Sequence, residues 1–287
     1  MNKYLKSLDK YLKSLDLDIE YINLYDMNLS KLPNLYKFTK LKSIDCGKNN
    51  IKQIKNLPPH IVELNCNYNK ITEIKNLPPT LTFLSCNYNK IIEIKDLPQT
   101  LTYLSCNYND IYELSSLPHE LIHLSCEFNN IIELKELPLG LVHLSCDGNY
   151  IKDLKNLPLE LISLSCNSNN LIKLENLPKS LEYLSCFNNQ IIELNVLPKV
   201  LIFLDCRNNK IKKFKYIPDT LFELYCDNNE LLVTDLDIIK KIYRFIIFFS
   251  KNIILKNVFL YFIKRRCAKY KEELIIKACH PSRLINI

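Results

Sequence analysis

Twenty residues separate each cysteine from the next over most of this chain, and no other feature constrains its folding as strongly. Cysteine stands at 46, 66, 86, 106, 126, 146, 166, 186, 206 and 226, and asparagine follows three places later each time, from Asn49 to Asn229. Leu-Pro recurs in step from Leu57-Pro58 to Leu197-Pro198 and closes as Ile217-Pro218. The unit beginning at Leu81 reads LTFLSCNYNKIIEIKDLPQT, or L-x-x-L-x-C-x-x-N-x-I-x-x-I-x-x-L-P-x-x. An earlier, less regular copy begins at Ile19 and passes through Ile22, Leu24, Leu29 and Leu32-Pro33, so residues 19–234 hold 11 units. A period of this length means a solenoid, because one unit cannot bury its own apolar face and must stack on its neighbours.

Each position of the unit has a physical reason. In L-x-x-L-x-C the apolar residues alternate with variable ones at period two, which predicts a short strand with Leu and Cys facing inward. Successive strands then lie parallel. Asn in the following turn can satisfy main-chain groups that no regular ladder reaches. The return segment is about ten residues long, and its Pro excludes a helix interior while driving the preceding Leu toward extended geometry. That segment should be extended or polyproline-like.

On these residues the chain resembles the leucine-rich-repeat family, whose consensus L-x-x-L-x-L-x-x-N/C-x-L it follows with Cys in place of the third Leu. The short unit and its Leu-Pro are most similar to bacterial effectors of the YopM and IpaH type and to giant-virus repeat proteins. The resemblance implies an α/β solenoid, a horseshoe with a parallel sheet on the concave face and extended segments on the convex one.

Solenoid ends expose core and need caps. KYLKSLD occurs twice at the start, placing Tyr4, Leu5, Leu8, Tyr11, Leu12 and Leu15 on one helical stripe. A capping helix is therefore expected over residues 2–16, within an N-terminal segment 1–18. Beyond Thr234 the period ends, and residues 235–287 form an apolar and basic stretch expected to be a helical C-terminal cap. The net charge of +7 is concentrated there: residues 236–287 carry 12 Lys/Arg against 3 Asp/Glu, leaving the body nearly neutral. A whole-protein nucleic-acid clamp is not expected from that distribution. A membrane surface could be met by the tail, where Lys264, Arg265, Arg266, Lys269 and Lys271 follow an aromatic run.

Several chemistries are argued against. Only three glycines occur, so no Gly-rich phosphate loop can be built. Ten of the twelve cysteines take the inward strand position and no C-x-x-C exists, which fits buried structural thiols in a reducing compartment rather than a zinc site. Cys267 and Cys279 lie outside the ladder. Some effectors with such repeats carry a large ubiquitin-ligase domain with a Cys-x-Asp nucleophile, whereas Cys267 is followed here by Ala-Lys and Cys279 by His-Pro. The closing ACHPSRL resembles a short C-terminal element of giant-virus repeat proteins, with His280 expected as a turn residue. The start is polar and charged, unlike a secretory signal, and the apolar tract from Phe245 is interrupted by Lys251 and Lys256, so an intracellular protein is expected.

What remains is a surface. One variable column on the concave face reads Ser43, Glu63, Phe83, Tyr103, His123, His143, Ser163, Tyr183, Phe203, Glu223, and a second, just past the cysteines, reads Lys48, Tyr68, Tyr88, Tyr108, Phe128, Gly148, Ser168, Asn188. Solvent-facing aromatics in such numbers suggest anchors for a protein partner, although rings could also stack only to stabilise the sheet. The partner-binding residues expected are Tyr68, Phe83, Tyr88, Tyr103, Tyr108, His123, Phe128, His143, Tyr183 and Phe203. Between the columns, Ser85, Ser105, Ser125, Ser145, Ser165 and Ser185 should keep the floor open and hydrogen-bonding. His123 and His143 share a column and could hold a metal or proton with Glu127 and Asp147 nearby. On the outer face Glu73/Lys75, Glu93/Lys95 and Glu133/Lys135 form solvated mixed-sign rows. The reading is of a non-enzymatic scaffold for a macromolecular partner, for instance a host protein, with no catalytic residue, cofactor or small-molecule substrate.

Overall fold

The computed structural model of the chain describes residues 3–231, so the expected C-terminal cap, Cys267, Cys279, His280 and the basic tail lie outside the described residues. The chain divides into two compact units, the first running to Ile151 and including Pro158–Leu161, the second comprising Lys152–Leu157 and the chain from Ile162.

The first unit opens with an α-helix over Lys3–Ser14, slightly shorter than the span expected from its pattern. Leu8, Tyr11 and Leu12 are half-buried while Asp9, Lys10 and Lys13 face solvent, as an amphipathic stripe requires. The Lys37 ammonium donates to the Leu12 carbonyl at 2.8 Å. Seven short parallel strands follow, from Tyr21–Asn23 and Ser43–Asp45 to His123–Ser125 and His143–Ser145, each three residues long. Their register preserves the repeat: Glu63 faces Phe83, Phe83 faces Tyr103, Tyr103 faces His123 and His123 faces His143. The strands are shorter than the six residues of L-x-x-L-x-C because the first Leu already belongs to a turn, with the Leu81 N–H donating to the Pro78 carbonyl at 3.1 Å.

On the return side, Glu73–Ile74, Glu93–Ile94 and Glu113–Leu114 form a second, narrow parallel sheet, and no described return segment is helical. The expected mixed-sign rows are present there, with Lys75 on Glu73 at 2.8 Å, Lys95 on Glu93 at 2.6 Å and Lys135 on Glu133 at 3.5 Å. In the second unit Ser163–Ser165, Tyr183–Ser185, Phe203–Asp205 and Glu223–Tyr225 pair in parallel with the same repeat register.

The core lies between strand and return segment. Within one repeat, Leu81, Leu84, Cys86, Ile91 and Ile94 are at most 1% exposed. Burying each such side chain contributes about 1.5 to 3 kcal/mol, which is why the spacing tolerates little variation. The cysteine column from Cys46 to Cys206 is inward as expected, its thiols small apolar fillers, several with the weak donor aimed at the next strand: Cys106 Sγ lies 3.5 Å from the Ser125 carbonyl.

The periodic asparagines are buried, apart from the half-buried Asn89, and use nearly all their bonding capacity. Asn109 Nδ2 donates to the carbonyls of Cys86, Cys106 and Asn107 at 3.0, 3.0 and 3.1 Å, and its Oδ1 accepts from the Ile91 N–H at 3.0 Å. Asn69 makes the same set with Cys46, Cys66, Asn67 and Ile51. Removing the amide would strand several buried main-chain groups at about 1 to 3 kcal/mol each. Asn109→Ala is therefore expected to lower unfolding free energy by about 3 kcal/mol or more, against less than about 1 for the exposed Asn195→Ala, both read from urea melts.

Burial pushes the Cys106 thiol up to about 12 from 9.0, and the thiols of Cys66, Cys86 and Cys126 move in the same direction for the same leading reason. The unfolded chain gives up these protons near pH 9 while the folded one keeps them, so their contribution is complete below 9 and is lost as pH climbs toward 12. Urea midpoints should hold steady from about pH 6 to 8 and fall above about 9. Replacing Cys86 and Cys106 by Ala should flatten that fall by up to ~1.4 kcal/mol per pH unit for each thiol removed.

Candidate binding face

In each strand of the first unit the central Leu or Ile points inward, so its two neighbours emerge on the opposite face of the sheet. Phe83, Tyr103 and His123 thus come to lie side by side in the first unit. Their rings stack at 4.4 and 4.5 Å between centroids with planes within 11°, and His143 continues the row at 5.8 Å, tilted by 46°. Because each ring is covered by its neighbours, Phe83, Tyr103 and His123 are half-buried rather than freely solvated as the sequence suggested. Burial first and the neighbouring His143 second hold the His123 imidazole below its usual range. Among the described residues no three or more His, Cys, Asp or Glu side chains cluster as a metal site would require.

A second row runs along the turn after the strands. Tyr68, Tyr88, Tyr108 and Phe128 stack at 4.3, 4.3 and 4.5 Å, and these rings keep 39 to 52% of their surface exposed. The row stops at Gly148, where a Cβ would come within 2.6 Å of Phe128, so the last ring lies across the glycine. Partial desolvation, then the neighbouring phenols, raise the Tyr68 and Tyr88 hydroxyls above their ordinary value.

Sequence reasoning missed the backbone of this second row. Tyr68, Tyr88, Tyr108 and Phe128 have φ between 50 and 55°, in the left-handed region, and so do Asn188, Asn208 and Asn228 at the same place in later repeats. Asn adopts that conformation at little cost, whereas a bulky side chain costs about 1 to 2 kcal/mol there. An offset ring pair gives back about 0.5 to 1.5 kcal/mol. Each inner ring joins two such pairs, about 1 to 3 kcal/mol, so stacking and the backbone penalty are of the same size and the rings add little net stability over the asparagine of three later repeats.

The serine floor is a correction. Ser85, Ser105, Ser125 and Ser185 are buried, and their hydroxyls donate to Asn67, Asn87, Asn107 and Asn167 Oδ1 at 2.8 to 2.9 Å. The same asparagine oxygens accept the N–H of the next repeat, as Asn87 Oδ1 does from Asn107 at 2.6 Å. The serines consequently bind the sheet to itself and leave no open, hydrogen-bonding floor. The signal was present as Asn one place after the cysteine, at 67, 87, 107 and 167, beside the more regular Asn column. In the fourth copy of this arrangement Glu127 takes the Asn role, accepting from Ser145 Oγ at 2.6 Å. That hydrogen bond orients the Glu127 carboxylate.

Tyr183 and Phe203 belong to the second unit, where they stack at 4.3 Å. Sequence reasoning missed their neighbours Phe187, Arg207 and Tyr225. The Arg207 guanidinium pairs with Asp205 and lies 5.6 and 5.5 Å from the Phe187 and Tyr225 ring centroids. It is a cation already satisfied within the face.

No protein-family model and no curated protein matches the sequence. Solved structures do. YopM from Yersinia enterocolitica WA-314 is 34% identical over 71% of this chain, with a TM-score of 0.65, and the functional domain of InlJ from Listeria monocytogenes, which includes a cysteine ladder, is 29% identical over 76%, with a TM-score of 0.66. This chain spans 50% of the length of each. The leucine-rich-repeat protein FLRT2, in an octameric complex with Latrophilin 3 and Unc5D, is 19% identical over 81% of this chain and 82% of its own, with a TM-score of 0.66, a likeness of fold alone.

Replacing Tyr88 by Asn, the residue found at this place in later repeats, is expected to change unfolding free energy by less than about 1 kcal/mol, measured by urea denaturation, because the lost ring contacts and the relieved backbone nearly cancel. The twenty-residue register, the inward cysteine and asparagine ladders and the structural likeness together identify the chain as a leucine-rich-repeat solenoid.

Proposed function

We propose that the chain is a non-enzymatic scaffold that binds a protein partner on the outward face of its strands, through the two aromatic rows of the first unit; Tyr183 and Phe203 are, by themselves, the corresponding ring pair of the second unit. The observation that carries this reading is the placement of four successive rings, Tyr68, Tyr88, Tyr108 and Phe128, at φ near +53°, where Asn188, Asn208 and Asn228 serve three later repeats. Backbone strain that gives no net stability points to use of the side chain. Aromatic anchors also lose little conformational entropy on binding, which suits them to interfaces. FLRT2, which shares the fold, stands in a complex with two other proteins, an instance of the fold serving association.

The buried thiols favour a reducing compartment, and an intracellular setting with a host protein as partner follows the resemblance to effector-type repeats. Among the described residues no helix is long and apolar enough to cross a membrane, and the tail proposed for a membrane surface lies outside them.

A photo-crosslinking residue placed at Tyr88 should trap the partner in cells, while one at Tyr112, exposed on the return side, should not. Tyr88→Asn with Tyr108→Asn should weaken capture at least ~10-fold with the melting curve unchanged, as loss of central anchors does. Full capture by that stable double variant would remove this face from the binding reading.

A further inference from the structure

We propose that a groove on the return side of the second unit binds the alkyl chain of a single-headed anionic amphiphile of the fatty-acid class, its carboxylate held between Lys179 and Lys199. The site lies within the second unit and does not depend on the reading of the aromatic rows.

The groove coincides with a break in the repeat. Every twenty residues from Asn56 to Asn176 the return segment turns left-handed two places before its proline, with φ between 51 and 60°. Val196 and Tyr216 fill the same place without a positive φ. Valine branches at Cβ, which makes the left-handed conformation costly, so the chain takes another path at Val196. The next turn follows it, and Leu194 pairs with Phe214 in a parallel bridge, whereas Leu174 and Leu194 form none. The two kinds of segment are still joined where the Ile192 N–H donates to the Ile172 carbonyl at 3.2 Å, and their paths differ beyond it. Between them lies a groove of about 770 Å³, a volume typical of small-ligand sites.

The lining indicates the ligand. Leu174, Leu177, Val196, Leu197 and Val200 form an aliphatic wall, in which Val196 and Val200 are 74 and 41% exposed. No aromatic ring lines the groove, and such a wall gains most by covering itself with hydrocarbon.

Its charges stand at the two ends. At one, Lys173 is held by Glu175 at 2.9 Å, and Glu193 lies in register between Lys173 and Lys213. At the other, Lys179 and Lys199 follow Pro178 and Pro198, whose carbonyls accept from the Leu181 and Leu201 N–H groups at 3.1 Å. The same turn thus sets the two lysines side by side on adjacent repeats. Neither is ion-paired among the described residues, and Asp219, which takes this place in the next repeat, does not line the groove. Unpaired lysines occur elsewhere on the surface; these two differ in closing an apolar groove. Two cations at one end attract a carboxylate, and Glu193 at the other end repels a second anionic group, so the ligand carries one head.

Isothermal titration calorimetry of the full chain with dodecanoate, octanoate and dodecyltrimethylammonium, each below its critical micelle concentration, tests the assignment. Dodecanoate should saturate one site and bind at least ~10-fold more tightly than octanoate, because each buried methylene is worth about four-fold in affinity. It should also bind at least ~10-fold more tightly than the cationic ligand of equal chain length, a preference that Lys179→Gln with Lys199→Gln should reduce to within ~3-fold. Val196→Asn, which places at 196 the residue found at 176, should weaken dodecanoate at least ~10-fold with the urea melt unchanged. Tyr88→Asn with Tyr108→Asn should leave dodecanoate binding as it is. Absent or non-saturating binding, equal affinity for the two head charges, or indifference to the groove variants would overturn the inference. Loss of binding in the tyrosine double variant would overturn it too, by moving the ligand to the strand face.

Discussion

One buried amide per turn holds this architecture together. A solenoid of twenty-residue turns has little regular backbone pairing, because each strand is three residues long and the return segments pair only in places. The carbonyls and N–H groups at the bend after each strand would otherwise be buried without partners. Asn109 and its counterparts complete them, three carbonyls and one N–H at a time. No other side chain carries two donors and an acceptor on so short a stem, so the column does not vary while its neighbours do. A second, inner rank of Ser and Asn does the same on the strand face, which is why that face is rigid enough to present rings in rows.

The rows illustrate two uses of the same scaffold position. After the cysteine the backbone must turn left-handed in every repeat, and asparagine at 188, 208 and 228 meets that need simply, passing amide hydrogen bonds from one copy to the next. In the first unit tyrosine and phenylalanine hold the same conformation against their preference, stacked at the spacing the strands impose. The structural cost is fixed by the fold, and the choice of ring over amide concerns what lies outside it.

Much of this was legible in the sequence, for physical reasons that differ by element. The strands, the inward cysteines and the buried asparagines follow from periods of two and twenty, and the structure places Leu104, Cys106 and Asn109 accordingly. The aromatic columns were legible too, since alternation assigns a face to every strand residue. What could not be read were properties that depend on neighbouring turns at once. Ser85 looks like an open hydroxyl until Asn67, eighteen residues earlier, is known to lie against it. The left-handed φ at Tyr88 leaves no mark in composition, because the usual marker of that conformation, Gly or Asn, is missing there. Phe187, Arg207 and Tyr225 were passed over because each departs from the column type around it, and their grouping arises only when the repeats are stacked.

The asparagine ladder also has a direction. The amide of each turn reaches back to the turn before it, as Asn109 does to the Ile91 N–H and the Cys86 carbonyl, eighteen and twenty-three residues upstream. During synthesis a newly exposed turn consequently waits for its successor to leave the ribosome before its own bend is closed. Completion trails elongation by one rung, and the growing tip of the nascent chain is always the least settled part of the molecule.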